Sequence, residues 1–140
     1  MDKKSKELQI IDLCPRLPYG FIIHRYSDNC DIVIESNCID VFAHFLEYSE
    51  GEDFKPYLRS MSSMTEEEKK ELSERYVWKI NGSGIEIKYH SDGYWDNDIY
   101  CSTEEYLWLF NWLNAHHFDY RGLIEKGLAL EALPGMYDKH

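Results

Sequence analysis

Apolar positions recur along this chain with two different periods, and the changes between them mark out its elements. Leu8, Ile10, Ile11 and Leu13 make a short helical stripe behind the polar run "KKSKE", and Pro15 ends it. "PRLPYG" then reads as an extended turn, because each proline biases its predecessor away from the helix. "FIIHRY" and "CDIVIES" are β-branched and aromatic runs separated by the turn-prone "SDN", which predicts a hairpin with a loop of about three residues. "IDVFAHFLEY" fits two templates. Val41, Phe45 and Tyr48 suit a helix, but the unbroken apolar run so soon after the hairpin favours a third strand over 41–48.

"EGEDFKPYLRSMSSM" carries Gly, Pro and Ser and reads as a surface loop. Thr65 and Glu68 then form an S/T-x-x-E capping box, with Glu66 and Glu67 at the positive end of a helix predicted over 65–77 and stopped by "NGSG". "IEIKYH" alternates Ile85, Ile87 and Tyr89 with Glu86, Lys88 and His90, the two-residue period of a half-buried strand. "SDGYWDND" is an acidic, aromatic turn. Ser102 and Glu105 form a second capping box with Cys101 and Tyr106 as its hydrophobic staple, and the helix they open runs to Asn114 with Tyr106, Leu109, Phe110 and Leu113 on one face. Asp119 caps a last predicted helix that stops at Gly127, and "LALEALPG" closes the core. This order predicts an α+β fold: a small, mostly antiparallel sheet with a short N-terminal helix, a central helix and a C-terminal helix pair, in one domain over 1–140.

Composition sharpens the picture in three places. A chain of 140 residues can bury about two-thirds of its unfolded surface without metals or disulfides. Eleven Tyr and four Trp are too many to be all interior, so some aromatics are expected on the surface. The net charge of −11 is concentrated: residues 26–54 hold eight acids and residues 89–120 hold six, with no Lys or Arg in either stretch. Such surfaces repel phosphate backbones, which disfavours direct nucleic-acid binding, and attract a basic protein partner. Cys14, Cys30, Cys38 and Cys101 show no C-x-x-C pairing and are expected as reduced, mostly buried thiols. The basic opening segment lacks a signal peptide's apolar run, and no other run is long enough to span a bilayer, so a cytoplasmic protein without membrane partners is expected.

The candidate chemistry is sparse. His116, His117 and Asp119 sit between the two C-terminal helices, but adjacent residues diverge on a helix by about 100° and zinc-type pairs are spaced differently, as in H-x-x-x-H. The double histidine is therefore read as a joint, its imidazoles near the terminal carbonyls and Asp119 occupied as a cap. "DGYWDND" lacks the order of a calcium loop, "NGSG" lacks the Lys of a phosphate loop, and no cysteine carries a nucleophile's local signature. No catalytic, metal or cofactor site is expected. What survives is a partner-binding surface: Tyr94 and Trp95, in a turn where burial is difficult, stand among Asp92, Asp96 and Asp98. Trp108 and Trp112, spaced i and i+4, fit either core or interface.

Three blocks, "DLCPRLPYG", "KPYLRSMSSMTEEEKKELSE" and "NWLNAHHFDYRGLIEKGLALEA", resemble recurring segments in a family of small uncharacterised proteins from gut Bacteroidales genomes and their phages or prophages. The likeness covers about half the chain at motif level and departs from the family at the tail, which reads "EALPGMY" where "EAPEGMY" is commoner. It implies a mobile-element setting in the cytoplasm of a bacterial host and carries over no activity or functional residues. The function expected is a non-enzymatic, protein-binding accessory domain. Its alternatives are an acidic anti-defence or regulatory inhibitor imitating nucleic acid, and a small hydrolase.

Overall fold

A computed structural model describes residues 3–35, 54–81, 84–90 and 103–137. The fold is α+β. Helix α1 (Lys3–Leu13) runs into a 3-10 helix (Cys14–Tyr19), followed by strands β1 (Phe21–Arg25), β2 (Cys30–Ile34) and β3 (Phe54–Leu58). A second 3-10 helix (Met61–Ser63), helix α2 (Glu66–Ser73), the strand pair β4 (Tyr76–Asn81) and β5 (Gly84–His90), helix α3 (Thr103–Ala115) and the two-residue strand β6 (Leu130–Glu131) complete the described elements. Strands pair as a four-stranded sheet in the order β2-β1-β3-β6 and a separate two-stranded sheet β4-β5. Among the described strand pairs β3–β6 is parallel and the other three are antiparallel.

The predicted hairpin is β1–β2, in register from Phe21↔Ile34 to Arg25↔Cys30, and its turn needs a left-handed residue, supplied by Asn29 at φ 53°. The period-2 pattern puts Phe21, Ile23 and Ile34 on one face, where they bury with Leu13 and Phe54, each such side chain contributing about 1.5–3 kcal/mol. A second cluster unites Met61, Met64, Leu72, Leu109, Trp112, Leu113 and Phe118. It packs α2 against α3, and a hydrogen bond from Trp112 Nε1 to Glu71 Oε1 at 3.0 Å adds to the contact.

Several expectations are corrected. "FKPYL", read as loop, is an interior strand: β6 pairs only with Tyr57 and Leu58, so Pro56 stays outside that ladder and its missing N–H costs nothing there. Helix α2 ends at Ser73 rather than 77, because the aromatic and β-branched run "YVWKIN" is claimed by pairing with β5. "CPRLPY" is a 3-10 helix rather than an extended turn, with Pro15 at its opening, where a missing N–H is tolerated. The second member of the C-terminal helix pair is only a run of turns over 123–127. Asp119 and Gly127 act where expected, but Gly122 at φ 74° breaks the helical path between them. Cys14 and Cys30 are exposed, against the expectation of burial. On α3 the buried face is Leu109, Trp112 and Leu113, whereas Phe110 lies at the surface with its ring against Tyr120 at 5.5 Å. The third-strand expectation at 41–48 and the Ser102 capping box lie outside the described residues. No helix among those described is long and apolar enough to cross a membrane.

Polar groups take up much of the buried face of α1. Ile11 is exposed while Gln9, Asp12 and, just beyond, Arg16 are fully buried. Gln9 donates to Leu128 O at 2.9 Å, Arg16 pairs with Asp12 at 3.0 Å and donates to Phe118 O at 2.8 Å, and Arg121 reaches Asp12 at 3.3 Å. Burial raises the Asp12 pKa above its usual range despite the two guanidinium groups. This network ties the N-terminal helix to the segment that follows α3.

Candidate functional site

Helix α3 ends in a Schellman motif. Phe118 N–H donates to Leu113 O at 3.0 Å and His117 N–H to Asn114 O at 3.1 Å, with His117 at φ 64° in the position glycine usually takes. Leu113 and Phe118 supply the accompanying apolar contact in the core. The chain leaving this cap is stitched to the end of β3, for Arg59 N–H donates to His117 O and Asp119 N–H to Arg59 O, both at 2.8 Å. The double histidine is thus a joint, as the sequence implies. The His116 imidazole takes Glu68 and the Trp112 ring as partners, and it is Arg59 Nη1 that donates to His116 O, at 3.3 Å.

The two rings are held apart by different partners. His116 lies 4.4 Å from the Trp112 ring and meets Glu68 Oε2 through Nδ1 at 2.8 Å. His117 is stacked on Tyr137, centroids 3.8 Å apart and planes 13° from parallel. Among the described residues no group of three His, Cys, Asp or Glu is placed to hold a metal ion.

Glu68 is the hub. Its Oε1 accepts from Thr65 N at 2.9 Å and Arg59 Nη2 at 2.7 Å, and its Oε2 from Arg59 Nη1 at 2.7 Å and His116 Nδ1 at 2.8 Å. Thr65 Oγ1 accepts from Glu68 N at 3.1 Å, so the predicted capping box is complete. Burial opposes ionisation of this carboxyl, but the hydrogen bonds and charge of Arg59 and the Thr65 amide outweigh it and lower the pKa to about 2. An ionised carboxylate only accepts, so the His116 hydrogen sits on Nδ1, and in the neutral ring Nε2 is the acceptor.

A cleft of about 670 Å³ opens over this hub. Arg59, Glu68 and His116 form part of its lining, with Ser60, Ser63 and Glu67 nearby and the tail from Glu131 to Tyr137 as the opposite wall. The tail is held by Tyr137, whose hydroxyl accepts from Ile22 N at 2.8 Å and donates to Tyr57 O at 2.7 Å. Burial pushes this phenol up to about 12, so it keeps the proton it donates.

A second polar cluster lies on the sheet. His24 Nδ1 and the Tyr57 hydroxyl both reach Asp31 Oδ1, at 2.8 and 3.1 Å, and the bond from His24 lowers the Asp31 pKa. The His24–Asp31 pair is legible once the hairpin register is known. Arg59 has no comparable local signal, since it sits in a stretch whose composition reads as loop.

Tyr94, Trp95, Asp92, Asp96 and Asp98, the sequence-predicted partner surface, lie outside the described residues. On the helix that follows them, Trp112 belongs to the core, and Trp108 is partly buried against it beneath the Arg75 guanidinium at 4.3 Å. Leu107 and Phe110 remain 58% and 41% exposed. No family model, curated protein or solved structure matches this chain.

Proposed function

We propose that this chain is a non-enzymatic, protein-binding accessory domain of a mobile element, acting in the cytoplasm of a bacterial host and docking a basic partner on residues 92–98 and helix α3. One observation carries the reading: Leu107 and Phe110, spaced i and i+3 on α3, stay 58% and 41% exposed, the Phe110 ring resting on Tyr120 at 5.5 Å. Aromatic and aliphatic anchors of this kind supply desolvated contact area, while Asp92, Asp96, Asp98, Glu104 and Glu105 steer a positively charged surface toward them. The mobile-element setting rests on the three resembling blocks.

The His116–Glu68 pair favours a second reading, a small hydrolase in which Glu68 orients His116 as a general base for water. Within the cleft, however, the Ser63 hydroxyl donates to Ser60 O at 2.7 Å and the Ser60 hydroxyl to Glu131 Oε1 at 3.1 Å, so both are committed internally. Binding is the better fit to that arrangement.

Capture from a native host with the wild-type chain and a Leu107→Asp variant tests the proposal. The expected result is one protein retained by the wild type at high salt and lost by the variant. A complex that dissolves steeply with added salt and ignores the variant favours the nucleic-acid-mimic alternative. Retention of the same protein by both at all salt concentrations removes the docking surface.

A further inference from the structure

We infer that the cleft over Glu68 receives a cationic group carried on an aliphatic stem, an arginine or lysine side chain from the basic partner. This rests on the protein-binding reading and adds a second point of contact to it. Both terminal nitrogens of Arg59 are spent inside the protein: Nη1 donates to Glu68 Oε2 and His116 O, and Nη2 to Glu68 Oε1 and Ser63 O. Ser60 and Ser63 also donate within the chain. His116 gives its Nδ1 hydrogen to Glu68. The capacity left over is mainly accepting, on the exposed carboxylates of Glu67 and Glu131.

Charge points the same way. The lining holds one guanidinium, Arg59, against the three carboxylates of Glu67, Glu68 and Glu131, and Arg59 is already neutralised by its two-pronged pairing with Glu68. The tail wall adds apolar surface from Leu133 and Met136, suited to a methylene stem whose charged head reaches the acids. Position supports a joint surface: Ala115 and His116, at the C-terminal end of α3, line the cleft, roughly 8 Å along the axis from Phe110 at 1.5 Å per residue.

The experiment is an NMR titration of the full chain with an acetylated, amidated Ala-Ala-Arg-Ala-Ala peptide and with its citrulline counterpart, which keeps the shape and loses the charge. Expected are saturable shifts at the Ser63, Thr65 and Gly135 amides with the arginine peptide, about tenfold weaker with citrulline, and about tenfold weaker again for a Glu67→Gln/Glu131→Gln variant. Both glutamates are exposed, and an unchanged far-ultraviolet spectrum checks that the variant folds. Equal binding of the two peptides, or shifts away from the cleft, overturns the inference. Spermidine is the third probe, and saturation by it at concentrations where the peptide does not bind overturns the assignment to a protein side chain. A host complex abolished by Leu107→Asp but untouched by the glutamine variant defeats the cleft while leaving the docking reading standing.

Discussion

The rings of His117 and Tyr137 lie face to face, 3.8 Å between centroids, joining the cap of helix α3 to a tail residue twenty positions later. Through its hydroxyl the same tyrosine bridges Ile22 N and Tyr57 O, joining β1 and β3 beyond the end of their ladder, which runs from Arg25↔Phe54 to Ile23↔Pro56. Tyr137→Phe keeps the stack and deprives both backbone groups of their partner. The expected loss is about 1–3 kcal/mol by urea denaturation. A variant as stable as the wild type would show that the bridge contributes nothing.

His117 occupies a left-handed position at φ 64°, which asparagine tolerates and β-branched residues do not. His117→Val is therefore expected to be less stable than His117→Asn by about 1–2 kcal/mol. Metal content of the purified protein is expected to be the same in wild type and His117→Asn. Stoichiometric zinc or nickel that disappears in the variant contradicts the reading of this histidine as a joint.

Thr65→Ala removes the acceptor for Glu68 N and is expected to cost about 1 kcal/mol. Thr65→Ser keeps an acceptor hydroxyl and is expected to recover most of that loss, which thermal melts of the two variants can decide.

Glu68 sets an acid limit on stability. Its pKa in the folded chain is about 2, below the ordinary 4.5, so its contribution is fully present above the ordinary value and is lost as pH falls toward the folded one. Wild type and Glu68→Gln are expected to differ most above the ordinary value and to converge as the pH approaches about 2. A stability difference that stays constant through this window rules out the depressed carboxyl.

For the docking proposal, Trp95→Ala and Asp96→Asn are expected to act on different rate constants in surface binding measurements with the captured partner. The first removes an anchor and raises the off-rate; the second weakens steering and lowers the on-rate, with a shallower salt dependence. Equal effects of both on the on-rate alone fit the mimic instead.

Sequence by itself determined the features whose causes are local. The β1–β2 hairpin follows from two β-branched runs around a turn, the start of α2 from the Thr65–Glu68 box, and the joint at His116 and His117 from the divergence of adjacent side chains on a helix. Tertiary structure alone decided the rest. "FKPYL" became a strand because β1 and β6 bond to it from either side, which outweighs the loop-like composition around Pro56. Gly122 turned an expected helix into a single turn while the Asp119 cap held. The polar buried face of α1 holds because the local Asp12–Arg16 pair, four residues apart, gains Phe118 O and the Arg121 guanidinium, more than a hundred positions away, as further partners. Glu68 reads locally as a helix cap. It becomes the hub of the cleft only because folding brings Arg59 and His116, nine and forty-eight positions away, onto the same carboxylate, and long-range pairing of that kind leaves no periodicity for a sequence to display.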